Sequence, residues 1–149
     1  MDYCAPDLTV HPPRSPRTKL GGYVILPRLL DKCRAQIAGK NGDYHYGCPM
    51  DMRWFEFTGV DPIELKGQVE SGASDSDLLT WITSNARNAP SFLDIEAWSR
   101  NQEQRVPGDP DYREFFNSVH KEAAPHRGDI HTTFDLLDVD DYVSFGGKA

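Results

Sequence analysis

Cysteine is scarce in this chain. Cys4, Cys33 and Cys48 are the only three in 149 residues, and their spacing forms no pairs. An odd, unpaired set excludes a disulfide framework and leads us to expect reduced thiols in a cytoplasmic setting. Long apolar runs are missing too. None approaches the ~20 residues that a membrane-spanning helix needs, so no membrane partner is expected. The opening MDYCAPDLTV lacks the basic-then-apolar order of a secretion signal. Positive charge is in short supply: 16 Lys and Arg stand against 23 Asp and Glu, a net −7. An acidic surface repels phosphate backbones, so nucleic acid is not an expected partner. Ligand motifs for metals are incomplete. His45 and Cys48 have H-x-x-C spacing, but the second pair of a structural zinc site is absent. His126 and His131 are out of helical register, and DLLDVDD lacks the alternating acids and central glycine of a calcium loop. Gly21-Gly22 is neither G-x-G-x-x-G nor a P-loop. Neither a metal nor a cofactor is expected.

What is present is a succession of helix signals. In PRLLDKCRAQIAG, Leu26, Leu29, Leu30, Cys33 and Ile37 recur at helical spacing and make one apolar stripe. Pro27 suits the first turn, and Gly39 with Asn41-Gly42 stops the helix. Asp51 is read as the cap of a short helix through WFEFTG that ends at Gly59. Asp61-Pro62 followed by Glu64 reads as cap, first-turn proline and capping box. Ser74 with Asp77 and Ser91 with Asp94 start two more, and Asp109-Pro110 starts another. The tail around Phe134 to Leu137 is expected to be helical in part, with the β-branched pair Thr132-Thr133 counting against it. No alternating strand pattern competes. The expected fold is all-α: a compact single domain over residues 1–149, of five to six short helices, with an irregular proline-rich arm over residues 1–20 packed on it.

Charge is unevenly spread. Residues 1–60 carry eight Lys and Arg against six acids, a balance of +2, while residues 61–149 carry eight against seventeen, a balance of −9. The positive end concentrates in HPPRSPRTKLGGYVILPRLLDK. Its prolines favour a polyproline II path with three residues per turn, which puts Arg14 and Arg17 on one side. Two guanidinium forks on one side suit a carboxylate or phosphate. Arg28 opens the first helix, where the dipole favours an anion, and Lys32 lies one turn further on the same face. The competing reading is that these cations pair with the acidic second half and pin the arm down. As a third reading, Pro13 and Pro16 have P-x-x-P spacing, a weak match to a proline-recognition ligand.

GDYHYGCPMD gathers a second set of chemical groups. If it is extended, Asp43 and His45 share one face and Tyr44 and Tyr46 the other. A carboxylate beside His45 would fix its tautomer for acid–base work, and a tyrosine would donate to a developing oxyanion. Cys48 is a nucleophile if His45 activates it. The bland alternative is an aromatic-rich turn packed into the core. Asp31 lies three residues from both Arg28 and Arg34, a spacing for surface ion pairs, with a catalytic role only if that face is buried.

The segments HPPRSPRTKLGGYVILPRLLDKCRA, NGDYHYGCPMD and FTGVDP resemble a bacterial family catalogued as a domain of unknown function. The resemblance covers most of residues 7–85 and continues through SDSDLLTWI and EAWS to the acidic tail. It implies a small, soluble, mostly helical bacterial protein. It assigns no catalytic residue.

The residues themselves lead to a site between the arm, the start of the first helix and GDYHYGCP, with a small anionic molecule as ligand. Arg14, Arg17, Arg28 and Lys32 would hold its charge, with Tyr23 and Cys48 beside it. Tyr23, Tyr44 and Tyr46 would form a partly apolar wall with polar tips. His45, Tyr44, Tyr46 and Asp31 are the catalytic candidates, for cofactor-free acid–base chemistry of isomerase, cyclase or lyase type. The alternative class is a helical protein–protein interaction module with a basic docking arm. A monomer or homodimer fits either.

Overall fold

Capping chemistry sets most of the element boundaries. The computed structural model describes residues 5–149, so the thiol of Cys4 and the first residues of the arm lie outside the described residues. Seven helices follow in order: α1 Leu26–Ile37, α2 Pro49–Thr58, α3 Pro62–Glu70, α4 Asp75–Asn85, α5 Phe92–Glu103, α6 Pro110–Ala123 and α7 Thr133–Ser144. Among the described residues there is no strand, only an isolated bridge between Leu20 and Tyr23. The fold is therefore all-helical and compact, with seven helices among the described residues where five to six were expected.

The extra helix is the tail. Thr132 is not a weak interior residue but the N-cap of α7, and its hydroxyl accepts from Asp135 N at 3.1 Å while Asp135 reaches back to Thr132 N at 2.9 Å. A β-branched residue costs helix propensity inside a helix and is favoured at the cap, where its oxygen meets an orphan N–H. The same reciprocal box opens α4 at Ser74 and α5 at Ser91. Asp61 and Asp109 cap α3 and α6 through single side chains. The cap of α2 is Cys48, with Pro49 at the first position, and Asp51 stands one turn in with its carboxylate engaged elsewhere.

α1 is the central element. Ten of its twelve residues are buried, including the charged Arg28, Asp31, Lys32 and Arg34. Its apolar stripe packs with Trp54, Phe55, Leu65 and Leu78 from α2, α3 and α4. Tyr23 sits edge-on to Trp54 at 5.6 Å, and Phe57 stacks on Trp98 of α5 at 5.0 Å. α6 and α7 form a second layer around Phe116, Ile130 and Leu136. Val24 and Ile25 touch Phe134 and so bridge the two layers.

The arm is held by specific bonds. Leu8 is buried and its N–H donates to Lys40 O at 2.8 Å. Ile25 N–H donates to Pro16 O at 2.9 Å, and Ser99 Oγ spans the Gly22 carbonyl and the Val24 N–H. These bonds hold Ile25 at a φ of 74°, a region a β-branched residue rarely enters. The arm's path is thus over-determined by its surroundings.

Candidate functional site

Ion pairs decide which predicted residues reach a common space. Arg14 grips Asp31 in a fork, with Nε–Oδ2 3.0 Å and Nη2–Oδ1 2.9 Å, and its Nη1 meets Asp75 Oδ2 at 2.8 Å. Arg17 turns to α7 and pairs with Asp135 and with Asp138 at 3.0 Å. The two arm arginines therefore serve different helices, and neither lines the cleft that the other candidates share. Asp31 is buried and pairs with Arg14 rather than making the expected surface pairs with Arg28 and Arg34. The reason is that α1 is central, so its polar side chains must find partners from other elements. Tyr23 is core. Tyr46 donates to Pro62 O at 2.6 Å and packs edge-on to Phe55 at 5.9 Å.

The other five candidates converge. Arg28, Lys32, Tyr44, His45 and Cys48 all line a cleft of about 750 Å³. It lies between α1, the 43–48 turn, the start of α2, the α5–α6 connection, and α6 and α7. The turn is irregular rather than extended, so Asp43, Tyr44 and His45 all face the cleft and only Tyr46 turns to the core. The Arg28 guanidinium is buried on Asp141 at 2.7 and 3.3 Å and lies 5.5 Å above the Tyr44 ring. Tyr44 Oη donates to Asp141 Oδ1 at 2.7 Å, and burial, together with this carboxylate, raises its phenol well above the ordinary value.

Lys32 is deeper. Its Nζ lies 2.9 Å from Asp51 Oδ2 and 3.2 Å from Cys48 Sγ. Its side chain is 4% exposed and that of Asp51 is 0%. Asp51 Oδ2 also accepts from Gly47 N at 3.0 Å, which folds the turn over the ion pair.

Four further groups in the cleft escaped sequence reasoning. Arg53 stands on α2, five residues after Cys48, and Arg105 follows α5. Arg105 is fixed by its backbone: its carbonyl accepts from Thr133 N at 2.9 Å. Neither guanidinium has an ion-pair partner among the described residues. Burial and the nearby positive charge of Arg105 hold Arg53 below the usual arginine value. Tyr112 shares a hydrogen bond with Thr133 at 3.1 Å, tying α6 to α7 on the cleft floor. Asp140 is raised by burial and by the charges of Asp141 and Glu122. Nothing in the local sequence around these residues marks them. They sit at ordinary helix and loop positions and meet only through the packing of distant elements.

The cleft is therefore bipolar. Two guanidinium groups with no ion-pair partner among the described residues lie on the α2 and α5 side, and the acids Asp140, of raised pKa, and Asp141 lie on α7, with Asp43 and Asp109 also in the lining. Met50, Phe115 and Leu137 supply apolar wall between them. Among the described residues no cluster of His, Cys, Asp and Glu has the make-up of a metal site. No helix among them is long and apolar enough to cross a membrane.

A family model described as a domain of unknown function, DUF5069, matches residues 10–143. No curated protein matches the chain.

Proposed function

The chain belongs to the DUF5069 family, and for it we propose a role in binding a small anionic metabolite, a carboxylate or a phosphate ester. One observation carries the reading: Arg53 and Arg105 share a cleft, repel each other and form no ion pair with any acid among the described residues. Folded proteins pair their half-buried charges, and an unpaired like-charged pair facing a cavity is an arrangement that an anion completes. The volume is that of a small-molecule pocket, and the mixture of apolar wall and few polar groups is the usual one. Arg28 is already neutralised by Asp141, so it supports the wall and Tyr44 rather than the ligand. His45 is exposed at the rim and is the acid–base group if the bound molecule turns over, in a cofactor-independent isomerase, cyclase or lyase step. A cytoplasmic monomer or homodimer, folding as one unit, fits this reading.

The docking-arm alternative has less support. Arg14 and Arg17 are committed to Asp31, Asp75, Asp135 and Asp138, so the arm has little charge left for a partner.

The test is thermal unfolding with a panel of small carboxylates and phosphate esters. A ligand at ten times its dissociation constant stabilises by about 1.4 kcal/mol, which raises the midpoint of a chain this size by roughly 3–6 °C. The shift should vanish in Arg53→Gln and in Arg105→Gln. A panel that moves the wild type and both variants equally contradicts the assignment.

A further inference from the structure

Lys32, Asp51 and Cys48 form a buried chain that opens onto this cleft, and the anion reading leaves it unused. The carboxylate is innermost. Its Oδ2 meets the ammonium at 2.9 Å, while Oδ1 is fully buried and has no hydrogen-bond partner. The ammonium passes outward to Cys48 Sγ at 3.2 Å, and the sulfur lines the cavity, half-buried. Cys48 occupies the N-cap of α2, yet its side chain makes no capping bond, so the sulfur is not engaged with the helix. Arg53, five residues on, lines the same cavity. Cys33 gives the contrast. It is fully buried on α1, and burial pushes its thiol up to about 12, the condition of a packing cysteine.

We propose that Cys48 is the nucleophile of the cleft, positioned by Lys32, and that it adds to the carbonyl carbon of a small anionic aldehyde or oxo-acid. The proposal rests on the anion reading, because Arg53 and Arg105 bring the negative end of the ligand beside the sulfur. In the step a C–S bond forms and the carbonyl π bond breaks. Its electron pair moves to oxygen, and the thiol proton finishes on that oxygen as a thiohemiacetal. Nothing is oxidised and no co-reactant is needed. An ammonium donating to sulfur stabilises the attacking form, and Asp51 Oδ2, 2.9 Å from it, holds that ammonium in place.

The experiment alkylates the full chain with iodoacetamide or iodoacetate and maps the labelled peptide by mass. Iodoacetamide is neutral and reads the nucleophile alone. Cys48 in the native protein should react several-fold faster than the same thiol in the urea-unfolded chain, and Lys32→Gln, with folding checked by its melt, should lose that acceleration. A native rate below the unfolded rate overturns the proposal without any variant. Iodoacetate reads the neighbouring cations. Its preference over iodoacetamide should rise about tenfold on folding and fall back in Arg53→Gln. Fast iodoacetamide labelling with no such preference keeps the nucleophile and removes the anionic substrate class. Glyoxylate should protect Cys48 far better than glycolate, which has the same charge but no carbonyl. Equal protection by the two shows occupancy without a C–S bond and overturns the covalent step.

Discussion

The perturbation with the largest expected consequence is Asp51→Asn. Asp51 and Lys32 are both sealed from solvent, with side-chain exposures of 0% and 4%, and lie 2.9 Å apart. Removing the carboxylate charge leaves an ammonium in the interior with no counter-charge, only neutral acceptors such as the Cys48 sulfur beside it. Breaking one side of such a pair costs about 3–5 kcal/mol, because the remaining ion has lost its compensation for desolvation. A domain of this size has a total stability of about 5–15 kcal/mol, so the variant loses roughly a third of it. The midpoint of thermal unfolding should fall by about 6–20 °C. The double variant Lys32→Met, Asp51→Leu removes both charges and replaces them with apolar volume, and should lie within about 2 kcal/mol of wild type. Urea unfolding of wild type, Lys32→Met, Asp51→Leu and this double variant yields the coupling. If Asp51→Asn alone costs less than about 1 kcal/mol, the ammonium is reaching water, and the buried chain leading to Cys48 is wrongly drawn.

Three other perturbations follow from the same geometry. Asp75 is held below its ordinary value despite partial burial, by bonds from Arg14 and Arg34. A depressed folded value means stability that is present above about pH 4 and is lost as pH falls through it, so wild type should lose more stability than Arg14→Gln between pH 5 and 2 in urea midpoints. Thr132→Ala removes one half of the α7 capping box and should cost about 1 kcal/mol, or roughly 2–4 °C in midpoint. Cys33 should stay unlabelled by iodoacetamide in the native state and become reactive on unfolding, since it is fully buried. Rapid native labelling of Cys33 would mean that α1 opens locally.

Local signals in the sequence carried the helices well and the site poorly, for one physical reason. Caps act over three residues, so Asp61, Ser74, Ser91 and Asp109 were readable, and all four cap helices in the structure. The box at Thr132 and Asp135 is equally local, but a β-branched pair lowers helix propensity in an interior, and only the fold shows that these two stand at the cap and first position. Ion pairs act over distances in space. Arg28 finds Asp141 across 113 residues and Arg14 finds Asp75 across 61, and no periodicity announces such partners. For that reason the charged face of α1 read as a surface, although α1 is the helix around which the others pack. It is also why Arg14 and Arg17 drew attention as clamps, while Arg53 and Arg105 passed as ordinary helix and loop residues. Composition did foreshadow one thing: the −9 half supplies several of the carboxylates, among them Asp75, Asp135, Asp138 and Asp141, that neutralise the cations of the +2 half.

The account stands on Arg53 and Arg105 being a pair, without an ion-pair partner among the described residues, that an anion completes. Side-chain Nε–H resonances of the arginines, assigned through Arg53→Gln and Arg105→Gln and followed by NMR during titration with inorganic phosphate, test this directly. Arg53 and Arg105 should shift together and saturably with one dissociation constant, while the ion-paired Arg14 and Arg28 stay still. Shifts that grow linearly without saturating, or that appear on other arginines first, would contradict it.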